Sequence, residues 1–232
     1  MKRFYQTATV ATAEGGFIVA LDGKPLRTPA KQALVVGSRA LAEAIAAEWQ
    51  AQAGEVRPNA LPLTRLASTA IDLVTPRRDE IVAGIAKYAG TDLLCYRATH
   101  PPELAERQHR AWQPLLDWLE ARYGAPLGVT AGIVPRPQPE ASLAALGAAV
   151  AAHDAMTLAA LHLATASCGS VVLALALVEQ RIDAETAFAL SQLDESFEIE
   201  QWGEDEEQTR RRAALREDVR LAARFLELLR TG

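Results

Sequence analysis

From Ala155 to Val178 the chain carries no Asp, Glu, Lys or Arg, a run long enough to cross a bilayer as one unbroken apolar helix. Thr157, His162, Thr165, Ser167, Gly169 and Ser170 dilute its hydrophobicity, and neither flank has the Lys/Arg excess that sets membrane orientation. Two helices buried in a protein core and joined near Cys168-Gly169 account for the run better than a span does. Such helices need neighbours to cover them. Half the residues are hydrophobic, roughly a fifth are Ala, and only 6% are aromatic. Small side chains let helices approach closely, so the expectation is a mostly helical protein without membrane insertion.

The remaining composition removes whole classes. The 232 residues hold 24 Lys plus Arg against 29 Asp plus Glu, a formal net charge of −5. A nucleic-acid binder that works by neutralising phosphates is usually basic, so none is expected as a partner. Cys95 and Cys168 are far apart, which suits reduced, buried side chains rather than a disulfide scaffold or a metal site. Lys2-Arg3-Phe4-Tyr5 is followed by no apolar h-region, so no secretory signal is expected.

The first third reads as β-rich. Phe17–Leu21 leads into Asp22-Gly23, a strong hairpin signal because a type I′ turn needs positive φ at both central residues. Pro25 and Pro29 limit the second arm to a short or edge strand, and Leu34–Val36 is a further short strand. At Ser38 the period changes. Its hydroxyl is placed to cap a helix on which Leu41, Ile45 and Trp49 share one face. A second helix, expected to be capped by Thr64, carries Leu66, Ala70 and Leu73 inward and ends before Pro76.

Beyond Pro76 nearly everything has a helical pattern. Leu104, Trp112, Leu115 and Leu119 lie on one helix that stops at Gly124, and a three-proline connector spans Val129–Pro139. Helices are then expected near 140–152, 155–167, 169–181 and 184–201, with Asp154 and Asp183 as N-caps. The last helix bears Leu215, Val219, Ala222, Leu226 and Leu229 as an amphipathic stripe. The fold class is therefore α+β: a small β-rich N-terminal domain over 1–75, followed by a larger all-α helical bundle over 76–232.

Motifs for chemistry are scarce. His100, His109, His153 and His162 form no zinc-ligand spacing, and phosphate-binding glycine loops and nucleophile elbows are missing. His162 reads as a core histidine. The most unusual window is 194–207, with eight acidic residues, no basic one, and Phe197 and Trp202 among them. Arg210-Arg211-Arg212, Arg216, Arg220 and Arg224 come directly after it. Either these acids pair with the arginines on a solvated face, or they rim a protein-binding surface anchored by Trp202. Their spacing matches no Ca²⁺ loop, so no metal is expected.

Taken together, several segments resemble a known family. They are Lys2-Arg3-Phe4-Tyr5, Gly15-Gly16-Phe17 with Leu21-Asp22 and Thr28-Pro29, Glu48-Trp49, Thr91-Asp92-Leu93-Leu94-Cys95-Tyr96-Arg97, Arg122-Tyr123-Gly124, and Leu193-Asp194-Glu195 with Gln201-Trp202-Gly203. In this order and spacing the set is similar to the assembly chaperones for the catalytic head of F-type ATP synthase, the members that act on the α subunit. Departures occur at Gly37, Glu198 and Gln208-Thr209, where family members often carry Pro, Gln and a His-Asp pair.

The resemblance implies a non-enzymatic chaperone, without cofactor or metal, that binds the unassembled α subunit and shields its β-facing surface until β replaces it. It implies a bacterial, cytoplasmic member, for which a monomer is the simplest state. It points to Glu195 first as partner-binding, then Glu198, Trp202 and Asp194, and marks Trp49, Asp92 and Gly203 as structural motif positions. Two readings compete with it: a metal- and cofactor-independent enzyme with a site around His162 and 194–207, and a peripheral membrane protein using the terminal helix.

Overall fold

The computed structural model describes every residue except Met1, Ile133, Pro135 and Gly232, so Pro135 of the three-proline connector lies outside the described residues. Asp22 and Gly23 have φ of 46° and 79°, the left-handed pair a type I′ turn requires. They fold strand β2 (Gly16–Leu21) onto the two-residue β3 (Lys24–Pro25), with Leu21 opposite Lys24. The Asp22 carboxylate accepts from the Gln6 and Thr7 amides and the Thr7 hydroxyl, which holds its pKa below the usual range.

One strand goes beyond the sequence-based expectation. β1 (Ala8–Ala13) pairs along the whole of β2, from Ala8 opposite Leu21 to Ala13 opposite Gly16. Its sequence, Ala8-Thr9-Val10-Ala11-Thr12-Ala13, gives almost no hydrophobic contrast between its faces, so the period-2 signal is weak. The other side of β2 also receives β4 (Val35–Val36). Gly16 is required there, because a Cβ would stand 2.3 Å from the Val36 carbonyl oxygen.

Helix α1 (Arg39–Gln50) starts as expected. The Ser38 hydroxyl accepts from the Leu41 amide and donates to the Leu228 carbonyl, while Leu41, Ile45 and Trp49 are buried. Helix α2 (Pro62–Thr69) corrects the Thr64 cap. It begins at Pro62, and the Glu48 carboxylate of α1 accepts from the Leu63 amide at 2.6 Å, the Thr64 amide at 3.0 Å and the Thr64 hydroxyl at 2.8 Å. A side chain from another helix thus supplies what a local cap usually would.

The inward role expected for Leu73 is corrected too. Ala70–Val74 forms a π-helical turn, whose extra residue per turn rotates the succeeding side chains away from the 3.6-residue face. Leu66 and Ala70 are buried, but Leu73 is 49% exposed. The residues up to Arg78, with Asp154–Ala160 and the chain from Arg224 onward, form one compact unit.

Asp79–His153 and Leu161–Ala223 form the second unit. It contains most of α3 (Arg78–Ala86), then β5 (Tyr96–Arg97), α4 (Pro102–Tyr123), β6 (Thr130–Ala131), α5 (Glu140–Ala151), part of α6 (Ala155–Cys168), α7 (Val171–Val178), α8 (Ala184–Ser191), α9 (Leu193–Trp202) and the larger part of α10 (Glu206–Arg230). Strands β5 and β6 pair in parallel. Gly124, at φ 63°, ends α4 as expected, and Asp154 and Asp183 cap α6 and α8 through the amides of Thr157 and Thr186.

The uncharged run is two helices, α6 and α7, separated at Gly169 with φ 64°. Val171 through Leu177 are all buried, making α7 the centre of this unit. Among the described residues no helix is long and apolar enough to cross a membrane. The expected helix over 184–201 is instead two helices, because Gln192 (φ −112°, ψ 23°) leaves the helical region. His162 is exposed on α6, correcting its assignment to the core. The opposite face, with Leu158, Leu161, Thr165 and Cys168, is the buried one.

Asp92 organises this core. It is fully buried and accepts from the Ser170 hydroxyl at 2.8 Å and from the Leu94 and Val172 amides at 3.1 Å. One carboxylate therefore caps both the short turn at Leu93–Cys95 and the start of α7. Burial pushes its pKa up to about 6, opposed by these hydrogen bonds.

Candidate protein-interaction surface

The break at Gln192 sets α9 on its own axis, with Asp194 and Glu195 in its first turn, where the helix dipole favours negative charge. Leu193 is buried and Asp194 half-buried. The Asp194 carboxylate accepts from the Gln108 amide side chain at 2.8 Å, and Gln108 also accepts from the Ala98 amide and offers its own carbonyl to Arg97. Arg97 lies over the Trp112 ring, its guanidinium carbon 5.0 Å from the centroid. Its Nη2 has no hydrogen-bond partner among the described residues. Burial lowers the Arg97 pKa, while the Asp194 charge works against that. Asp194 therefore faces the inside of the unit.

Arginines clamp α9 and α8 from two sides. Arg107 of α4 donates two parallel bonds to Glu200, at 2.7 and 2.9 Å, and covers the Phe197 ring. From α10, Arg211 reaches Glu195 at 3.1 Å, and Arg212 pairs with Glu204 at 3.3 Å while donating to the Ser196 hydroxyl. Arg216 and Arg220 converge on the single carboxylate of Glu185, which keeps its pKa below the ordinary range. Both Arg212 and Arg216 also lie near the Phe188 ring. Isolated exposed pairs are worth little. A bidentate contact and a shared carboxylate add geometric definition that a single pair lacks.

The acidic window is thus partly neutralised within the chain, as the first of the two sequence readings anticipates. The surface left available is narrow. Glu198 is exposed and has no ion-pair or hydrogen-bond partner among the described residues. Trp202, at the last turn of α9, is 87% exposed. Gly203 then turns the chain at φ 84°, ψ 174°, a conformation that favours glycine. Asp205 caps α10 through the Gln208 amide. Of the four residues singled out for partner binding, Glu198 and Trp202 face solvent, Glu195 is half-buried in its ion pair, and Asp194 is turned inward.

An indole with almost all of its surface in water, at the end of a helix fixed by Arg107 and Arg211, is poised to bury area against another molecule. The remaining motif residues support the fold. Trp49 is buried, donates from its indole nitrogen to the Thr64 hydroxyl at 3.1 Å and packs on Tyr5. Cys95 and Cys168 are free and buried, and burial pushes both thiols up to about 12. Among the described residues no group of three or more His, Cys, Asp or Glu could hold a metal. Arg107 went unnoticed in the sequence as a site residue, because it acts through Glu200, 93 residues away.

Residues 2–120 match the family described as ATP12 chaperone protein. The chain is 45% identical to Atp12 from Paracoccus denitrificans, whose crystal structure it matches with a TM-score of 0.96 over 99% of this chain and 98% of that one. It is likewise 45% identical to the Atu1473 protein of Agrobacterium tumefaciens, with a TM-score of 0.94 over 99% and 86% of the two chains. The mitochondrial protein atp12 of Schizosaccharomyces pombe is 26% identical over 214 residues, covering 87% of this chain and 74% of the yeast protein.

Proposed function

Because the chain belongs to the ATP12 chaperone family, we propose that it holds the unassembled α subunit of the F-type ATP synthase catalytic head until β takes its place. The coarser role, a chaperone in assembly of that head and not an enzyme, is the role of the family. A free subunit exposes apolar surface that later becomes an interface, and contiguous apolar area of that kind drives aggregation. Covering it reversibly needs an interface smaller or weaker than the permanent one.

The observation that carries the reading is the exposed Trp202 beside the unpaired Glu198, on a helix whose other acids are occupied, Glu195 and Glu200 by arginines and Asp194 by Gln108. Such a surface offers one large anchor and one free charge, which suits a contact that must later be given up. Binding takes place in the cytoplasm of a bacterial cell in this reading. The test is capture of separately expressed α subunit by the full chain at low salt. Failure to retain α, under conditions where β retains it, refutes the assignment of α as client. Glu198→Lys and Glu195→Lys should both weaken capture while leaving the circular-dichroism spectrum unchanged; unfolding of the Glu195 variant would make that residue structural.

A further inference from the structure

The α-subunit proposal does not use a large depression in the N-terminal unit. It is an open groove of about 690 Å³, within the size range of sites that enclose a small ligand or a few side chains. Its floor is Trp49, Leu61 and Ser68, and Leu73 stands at its edge with half its surface in water. The charged groups that line it are two arginines and one aspartate. Arg27 and Arg65 line the groove, and Arg65 is exposed with no ion-pair partner among the described residues. The one carboxylate, Asp72, is already occupied by the Thr28 hydroxyl at 2.7 Å and the Ala30 amide at 3.0 Å. Ser68 as a residue is more than nine-tenths buried and lines the groove, and its hydroxyl makes no hydrogen bond within the described residues.

Apolar walls and two guanidinium groups, with Thr28, Thr64 and Asp72 already hydrogen-bonded, do not make a small-metabolite site, which needs several convergent polar groups. They suit a peptide whose aliphatic side chains fill the groove, whose backbone meets Ser68 and whose flanking carboxylates meet Arg27 and Arg65. We propose that this groove binds an extended, aliphatic, acid-flanked segment of the assembly client. The identity of that client rests on the function proposed above; the peptide chemistry does not. The π-helical turn is what makes the site, since a regular helix would have turned Leu73 inward.

The probe is a fluorescein-labelled peptide of alternating Leu and Ala flanked by two Asp at each end, with a Lys-flanked twin, read by anisotropy against the full chain. The Asp-flanked peptide should bind at least about ten-fold tighter than its twin, consistent with one or two charge-assisted contacts. Leu73→Asp should weaken it at least about ten-fold, and Arg65→Glu should abolish the preference between the two peptides. Ala30→Trp, which fills the groove from an exposed loop position, should weaken binding independently of any effect on folding.

Equal affinity for both peptides, no binding by the wild type, or indifference to both Leu73→Asp and Ala30→Trp overturns the proposal. So does a dimer of the wild type that Leu73→Asp converts to monomer, since a second copy would then cover the groove. Capture of α subunit separates the two readings. Loss of capture in Leu73→Asp as well as in Trp202→Ala supports the groove as a client site. Capture lost only in Trp202→Ala overturns it and leaves the α-subunit reading standing. No capture even by the wild type refutes the α-subunit reading, and the groove is then judged on the peptides alone.

Discussion

Asp92→Ala removes a fully buried carboxylate with three donors aimed at it: the Ser170 hydroxyl and the Leu94 and Val172 amides. A buried donor left without an acceptor costs about 1–3 kcal/mol, so the gross loss is several kcal/mol. Against this stands the penalty the ionised group already carries. Its pKa rises from 3.8 to about 6, and at about 1.36 kcal/mol per unit the buried charge costs about 3 kcal/mol at neutral pH. Alanine relieves that cost. Ser170 can also turn its hydroxyl elsewhere while still accepting from the Leu173 amide. The net expectation is a destabilisation of about 2–4 kcal/mol at pH 7.5, measured by urea unfolding followed by far-ultraviolet circular dichroism.

The pH dependence gives a second readout of the same group. Because the folded pKa lies above the unfolded one, the native state binds more protons between about pH 6 and pH 4, and Asp92 then adds stability as pH falls. Carboxylates with lowered pKa, such as Asp22, Asp183, Glu185 and Glu200, act in the opposite direction. The comparison is therefore wild type against Asp92→Asn, in which only the Asp92 contribution is removed. The wild type should gain up to about 3 kcal/mol relative to the Asn variant as pH drops from 7 to 4. An alanine variant within about 0.5 kcal/mol of wild type, together with parallel pH profiles for wild type and Asn, would refute the capping role.

Other contacts carry their own expected outcomes. Glu48→Ala strips the first turn of α2 of its acceptor and should cost about 1–3 kcal/mol in urea unfolding, with Glu48→Gln closer to wild type because one acceptor oxygen remains. Gly16→Ala forces β2 and β4 apart and should lower the thermal midpoint, whereas Gly15→Ala, with open space around its Cβ position, meets only the strain of its positive φ. Trp202→Ala should leave the thermal midpoint unchanged yet weaken capture of the client by about ten-fold or more, as loss of an aromatic anchor does; undiminished capture would remove Trp202 from the interface.

Features whose cause is local could be read directly from the order of residues. Asp22-Gly23 demands positive φ at two neighbouring positions, Ser38, Asp154 and Asp183 each cap an amide within three residues, and Gly124 ends its helix through its own backbone. The burial of the uncharged run was legible in the same way, since apolar helices without charge must be covered. The ordered motifs named the family, because they sample nearly the whole chain. Whatever depends on a distant partner emerged only from the folded chain. Glu48 replaces Thr64 as the cap of α2, Asp92 ties two turns about eighty residues apart, and Arg107, Arg211 and Arg212 settle which acids stay free for a partner. The exposure of Leu73 and of His162 belongs to the same class. Periodicity tells which residues share a face, but only the packing of other elements, and one extra residue in a π turn, decides which face meets water.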